Sequence, residues 1–140
     1  MTRDERILKI WLRIAGIGPA LAIVAVVMPT SWMDYSAGLM KLDPLPHAPI
    51  VEYLARSLSA FYAMMGGLLW LASVDVRRYA GLVTYLAVGG LVFAPAIFIL
   101  DLSVGMPREW SYHEGPIVLA LSAVTLVLQA RARRGQEPYV

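Results

Sequence analysis

Apolar residues in this chain gather into four runs, 14–33, 57–74, 79–100 and 115–130, and none of the four contains an Asp, Glu, Lys or Arg. Alternation of period two is absent from them, and each has the length of a helix rather than of a strand. A bilayer core about 30 Å thick needs about 20 residues of apolar helix. The second and third runs qualify as they stand. The first is cut near its end by Pro29 and extends back over Ile10 to Leu12, because Arg13 can snorkel. The fourth gains Trp110 to Tyr112. The pattern predicts an all-α polytopic membrane protein with four transmembrane helices.

Composition sharpens this picture. The chain has 140 residues, enough for one domain, 1–140, and only 16% are charged. A soluble domain averages about 25%. The pI near 9.1 does not point to nucleic acid, because the basic residues sit at the ends of the apolar runs rather than along one stripe. With no Cys, disulfides, thiol relays and palmitoylation are excluded together. The first run reads as a retained span and not a cleaved leader. Asp4 and Glu5 stand in its basic start, the Gly16-Ile17-Gly18-Pro19 step interrupts it, and no small-x-small site precedes Trp32.

Charge then predicts orientation. Arg3, Arg6, Lys9, Arg13, Arg77, Arg78, Arg131, Arg133 and Arg134 fall on one side of the four spans, against Lys41, Arg56 and Arg108 on the other. Nine against three predicts that both termini and the short middle loop face the cytoplasm. Two longer loops, 34–52 and 101–114, then face outward. Trp32, Tyr35, Trp110 and Tyr112 lie at the outer interface, and Trp11, Trp70 and Tyr79 at the inner one.

The two outer loops also resemble each other. At an offset of 67 residues, Asp34, Ser36, Gly38, Pro49, Ile50 and Val51 fall on Asp101, Ser103, Gly105, Pro116, Ile117 and Val118, and Lys41 falls on Arg108. This predicts two tandem helical hairpins, 7–76 and 77–134, related by a pseudo-twofold axis along the membrane normal. Pro49 and Pro116 are expected to open the returning helices, where proline is tolerated. Gly38 and Gly105 are expected in the turns after the outgoing ones. Small residues are expected to pack the bundle, since lipid gives helices no hydrophobic reason to associate. The candidates are Ser59, Ala63 and Gly67 in the second span and Gly89 and Gly90 in the third. Pro19 and Pro95 are expected to kink the first and third spans.

Candidate chemistry concentrates at the outer end, in His47, Glu52, Arg56, Asp101, His113 and Glu114. Arg56 lies about 6 Å inside the start of its span at 1.5 Å per residue. An arginine at such depth costs about 2–3 kcal/mol unless it snorkels or meets an acid. Asp101 and Glu114 lie at similar depth and are the expected partners. The arrangement reads either as a structural clamp or as an anchor for an anionic or quinone-like head group. The repeat breaks here, because Glu52 and Arg56 correspond to Leu119 and Ala123, and His47 to Glu114. His47 in a Pro-rich loop and His113 at a helix entrance do not face each other as haem ligands must, and the spaced ligands of a zinc site are missing. No catalytic motif is present.

The four-span plan, Arg56 near the start of span two, and the entries Gly105-Met106-Pro107 and Glu114-Gly115-Pro116 resemble the small four-span bacterial membrane proteins of the DoxX-like type. Some members of that type are associated with quinone-linked oxidoreductases. The resemblance implies a bacterial inner membrane and carries over no catalytic residue. Two functions are compatible with these residues. One is a non-catalytic accessory or scaffold subunit of a larger membrane assembly, with protein partners or as a homo-oligomer. The other is binding or transport of a small amphiphile, quinone or lipid, at the outer polar cluster. No cofactor is identified.

Overall fold

The computed structural model describes residues 1–42 and 46–135, all helix and short connections. Residues 43–45 and the last five residues lie outside the described part. The helices are α1 (Arg3–Leu21), α2 (Ile23–Val27), α3 (Thr30–Leu39), α4 (Pro49–Val74), α5 (Ala80–Val104) and α6 (Arg108–Arg134). Four segments are long and apolar enough to cross a bilayer: Arg3–Val27, Pro49–Val74, Ala80–Val104 and Arg108–Arg134. The chain is a multi-pass helical membrane protein.

The breaks in the helices follow from proline. Pro19 has no N–H to give to the helical ladder. Two residues later α1 ends, and the Ala22 amide closes a tight turn on the Pro19 carbonyl at 3.1 Å. Pro29, extended at φ −60° and ψ 148°, ends the short α2 and starts α3. Pro95 is different: α5 is continuous through it.

Both loops that the charge bias predicts to face outward are shorter than the sequence predicts. Asp34 is not in a loop, because α3 carries the chain in helical form to Leu39, with Met33 and Ala37 buried. The turn then falls at Lys41, whose φ of 58° is left-handed, and not at Gly38, which is inside α3. The Leu42 amide reaches back to the Ala37 carbonyl at 3.0 Å, the bond that closes a helix end of this kind. On the other side, Gly105 does take the left-handed conformation, φ 75°, and caps α5 as expected. Pro107 then opens α6, so Pro116 lies well inside a helix rather than at its start. Pro49 is the first residue of α4, as expected. An acid, Glu109, in the first turn of α6 and three arginines in its last turn both favour the helix dipole, which supports the longer α6.

The chain divides into two units. Unit one comprises Met1–Ala15 with Leu69–Val140, and unit two comprises Gly16–Leu68. In unit one, α5 and α6 lie antiparallel and in contact. Their backbones come close at Gly90, where an added Cβ would overlap Ser122, and at Gly115, where it would meet Phe98 Cβ at 3.0 Å and the Ala94 carbonyl at 3.1 Å. The core of the unit is built from Leu8 and Leu12 of α1, Ala72 of α4, Val76, Val83 of α5 and Ala132 of α6. In unit two, α1 and α4 approach at Gly66, where an added Cβ would lie 2.8 Å from both Ala20 Cα and the Gly16 carbonyl. Of the small residues singled out by spacing, Gly90 makes a close approach and Ser59 and Ala63 are half-buried. Gly67 and Gly89 meet nothing within 4 Å among the described residues.

Candidate functional site

The polar residues singled out by the sequence are distributed over both units. His47, Glu52 and Arg56 belong to unit two, and Asp101, His113 and Glu114 to unit one.

In unit two, the α2–Pro29 break creates the local need that Arg56 meets. A helix end leaves carbonyls without amide partners, and Val26 stands beside the end of α2. Arg56 Nη1 donates to the Val26 carbonyl at 2.6 Å. The other edge of the guanidinium grips Glu52, one turn back on α4, through Nε at 3.0 Å and Nη2 at 2.8 Å. The acid on Arg56 is therefore its own helical neighbour. This forked pair is only partly buried, 27% and 46% exposed in its two side chains. Beside it, His47 Nε2 is 3.7 Å from Asp34 Oδ2. Asp34, His47 and Glu52, with Thr30, Met33 and Val51, line an open cavity of about 260 Å³.

In unit one, the predicted residues are held locally. Glu114 Oε2 accepts from Trp110 Nε1 at 2.7 Å, and His113 Nδ1 is 2.5 Å from the Glu109 carbonyl. Asp101 is 5% exposed, and its Oδ2 has no hydrogen-bond partner among the described residues; the same holds for the hydroxyl of buried Ser111.

The opposite end of unit one holds a denser polar network that spacing arguments passed over. Glu5 is 1% exposed. Its Oε2 accepts from the Thr2 amide at 2.8 Å while the Thr2 hydroxyl accepts from the Glu5 amide at 3.3 Å, a reciprocal cap on α1. The same carboxylate takes Arg77 Nε at 2.5 Å and Nη2 at 3.1 Å. Glu5 raises the Arg77 pKa above its already high ordinary value, first through these hydrogen bonds and then through charge. A raised pKa stabilises the folded state fully at pH below the unfolded value. The cation side of this pair therefore stays intact throughout the neutral and mildly alkaline range.

Further bonds tie the helices of this unit together. Trp11 Nε1 donates to Thr125 Oγ1 at 2.9 Å, joining α1 to α6. Trp70 Nε1 donates to the Arg13 carbonyl at 3.0 Å and Arg13 Nε to Ser73 Oγ at 3.3 Å, joining α4 to α1. Gln129 Nε2 donates to the Ala80 carbonyl at 2.5 Å, and Arg133 Nη2 to Thr84 Oγ1 at 3.0 Å, joining α6 to α5. A signal for this network exists in the sequence. Thr2 and Glu5 have the spacing of a capping box. Ser122, Thr125 and Gln129 recur three and four residues apart, which puts them on one face of α6.

Removing Arg56 tests the unit-two clamp. Arg56→Ala is expected to cost about 1–3 kcal/mol, the value of a charge-assisted bond to a half-buried carbonyl. Glu52→Ala is expected to cost under about 1 kcal/mol, as a half-exposed helical pair does. Arg56→Lys should recover only part of the loss, because an ammonium lacks the fork. Thermal unfolding in detergent, followed by size-exclusion chromatography, reads all three. Equal losses for Arg56→Ala and Glu52→Ala would show that the Val26 bond contributes nothing.

No family model matches the chain, and no curated protein and no solved structure is similar to it.

Proposed function

We propose that this protein is a non-catalytic accessory or scaffold subunit of a larger membrane assembly, inserted in a bacterial inner membrane with both termini in the cytoplasm. The observation that carries the reading is the use made of polar side chains in unit one. Trp11, Trp70, Thr84, Thr125 and Gln129 are engaged in bonds from helix to helix. Such bonds rigidify a bundle and leave few groups for chemistry. Meanwhile α5 keeps Tyr85, Val88, Val92 and Ile99 exposed along one face, open to lipid or to a partner helix.

The orientation rests on the nine-to-three bias of basic residues, and the view of the chain as two tandem hairpins rests on the 67-residue offset. The DoxX-like resemblance rests on the short motifs around Gly105 and Glu114. A reporter joined after Val140 should be active only in the cytoplasm, and one joined after Lys41 only outside. The same side for both would overturn the topology. For the scaffold role, the test is gentle detergent extraction of the full chain with chemical cross-linking in the native membrane. A membrane-protein partner in fixed stoichiometry is expected. A chain that cross-links to no protein and carries only small amphiphiles would replace this reading with the second one.

That second reading, binding of quinone or lipid, is favoured by the cavity at Asp34, His47 and Glu52. Its volume of about 260 Å³ lies below the usual range for drug-sized ligands, about 300–1,000 Å³. It suits a polar head group better than a whole quinone ring and tail.

A further inference from the structure

A second cavity of about 260 Å³ opens at the other end of unit one, far along the helices from the α5–α6 turn. One part of its wall is aliphatic, from Leu8, Val76 and Ala132. Another part is cationic, from Arg77 and Arg133. We propose that this cavity binds the phosphate of an anionic membrane phospholipid.

Placement comes first. Arg77 follows the end of α4, Ala80 begins α5, and Arg133 is in the last turn of α6. The cavity therefore sits where three spans end, at head-group level. Basic pockets between transmembrane helices at that level are the common form of anionic lipid site.

Charge comes second. Glu5 engages Nε and Nη2 of Arg77 and fixes the plane of its guanidinium. Nη1 makes no hydrogen bond among the described residues. Arg133 touches only the neutral Thr84 hydroxyl and has no acidic partner among the described residues. With Glu5 set against Arg77, one full positive charge remains on the lining. A phosphodiester supplies one negative charge and accepts from guanidinium N–H groups in pairs.

The third point is what the remaining polar wall cannot do. Gln129 is 4% exposed, its amide nitrogen is engaged by the Ala80 carbonyl, and its oxygen lies 3.1 Å from the Thr84 hydroxyl. The charged donors of the cavity are therefore those of the two arginines, with at most one further neutral N–H from Gln129, and the aliphatic wall suits the glycerol and upper acyl carbons. A neutral zwitterionic lipid brings a cation that meets Arg133 unfavourably.

The test uses the full chain in mixed micelles, with native mass spectrometry reading bound lipid. The probes are phosphatidylglycerol and phosphatidylcholine with the same acyl chains, and inorganic phosphate as a separate arm. The wild-type chain is expected to prefer phosphatidylglycerol by about five-fold, the effect of one cation at a membrane surface. Arg133→Gln is expected to abolish that preference and Arg133→Lys to keep most of it. Arg134→Gln removes the same charge outside the cavity and should keep the preference. Arg133 makes a single exposed bond, so these variants should fold; unchanged elution on size exclusion checks this. Equal retention of the two lipids, or equal loss in Arg133→Gln and Arg134→Gln, overturns the proposal. Binding of inorganic phosphate with no preference between the lipids assigns the site to a free anion and overturns the lipid claim.

Discussion

Gly66→Ala is expected to destabilise unit two by about 2–3 kcal/mol, the cost of forcing a methyl group into a packed contact. The usual sign for such a change in a helix is the reverse, since alanine gains about 1 kcal/mol over glycine in helix propensity. Here the neighbours decide. A Cβ on Gly66 meets backbone of Ala20 and Gly16, and backbone cannot rotate away as a side chain can. The neighbouring glycine provides the control. Nothing stands within 4 Å of a Cβ on Gly67 among the described residues, so Gly67→Ala should be neutral or slightly stabilising. Two adjacent substitutions of the same kind should therefore move the unfolding temperature in opposite directions, or one downward and one not at all. Thermal unfolding of both variants in one detergent reads the difference. Similar losses at the two positions would mean that α1 and α4 do not cross at Gly66.

The second large effect is expected at Glu5. Glu5→Ala removes the carboxylate half of the α1 cap, worth about 1 kcal/mol, and also the forked bond to Arg77. Both losses fall on a side chain that is 1% exposed, against the core formed by Leu8, Leu12 and Val76. Glu5→Gln keeps a partner for the Thr2 amide and loses the charge, so it should fall between wild type and Glu5→Ala. Because Arg77 is 56% exposed, water can solvate it once the acid is gone. Arg77→Gln is expected to be the milder of the two partners' deletions, and the double variant no worse than Glu5→Ala alone. A double-mutant cycle in thermal unfolding measures this coupling. Additive losses would show that the two side chains act separately.

The elements that sequence made legible were those governed by length and by absence of charge. Four charge-free runs gave four spans, because a bilayer imposes a minimum length and a polarity limit on any helix that crosses it. Their ends were not legible in the same way. Asp34 looks like a loop residue by polarity, yet it is helical, since the helix continues past the apolar run where it meets head groups and water. Gly38 and Lys41 show the same limit from the other side. A glycine is the preferred left-handed residue, but the position of the turn is set by where α3 runs out of buried contacts, Met33 and Ala37, and the lysine falls there.

The sequence singles out six polar residues but does not reveal their pairings. His47, Glu52 and Arg56 fall in unit two, and Asp101, His113 and Glu114 in unit one. The carboxylate on Arg56 is Glu52, at the i, i+4 spacing that a helix brings together, and its second partner is the backbone carbonyl of Val26. No side-chain census contains that carbonyl; it becomes available only because the helix breaks before Pro29. The bonds that join helices in unit one were hidden for a related reason. Thr84, Thr125 and Gln129 are mild, common residues, and their importance comes from the partners that neighbouring helices bring to them, Gln129 for Thr84 and Trp11 for Thr125.

Unit one joins the first 15 residues of the chain to its second half, and this sets the order in which the protein can be completed. As the chain is synthesised, α1 leaves the ribosome long before α6. Trp11 and Thr125 are separated by 114 residues, so the indole must wait in the bilayer until the last helix has been inserted. Glu5 has a shorter wait, since Arg77 follows 72 residues later. Contacts of such separation form slowly and late. The biogenesis of this protein is thus a closing in two stages: Trp70, Ser73 and Arg77 can hold the N-terminal segment once α4 is in place, and Trp11 completes the bundle only when α6 arrives.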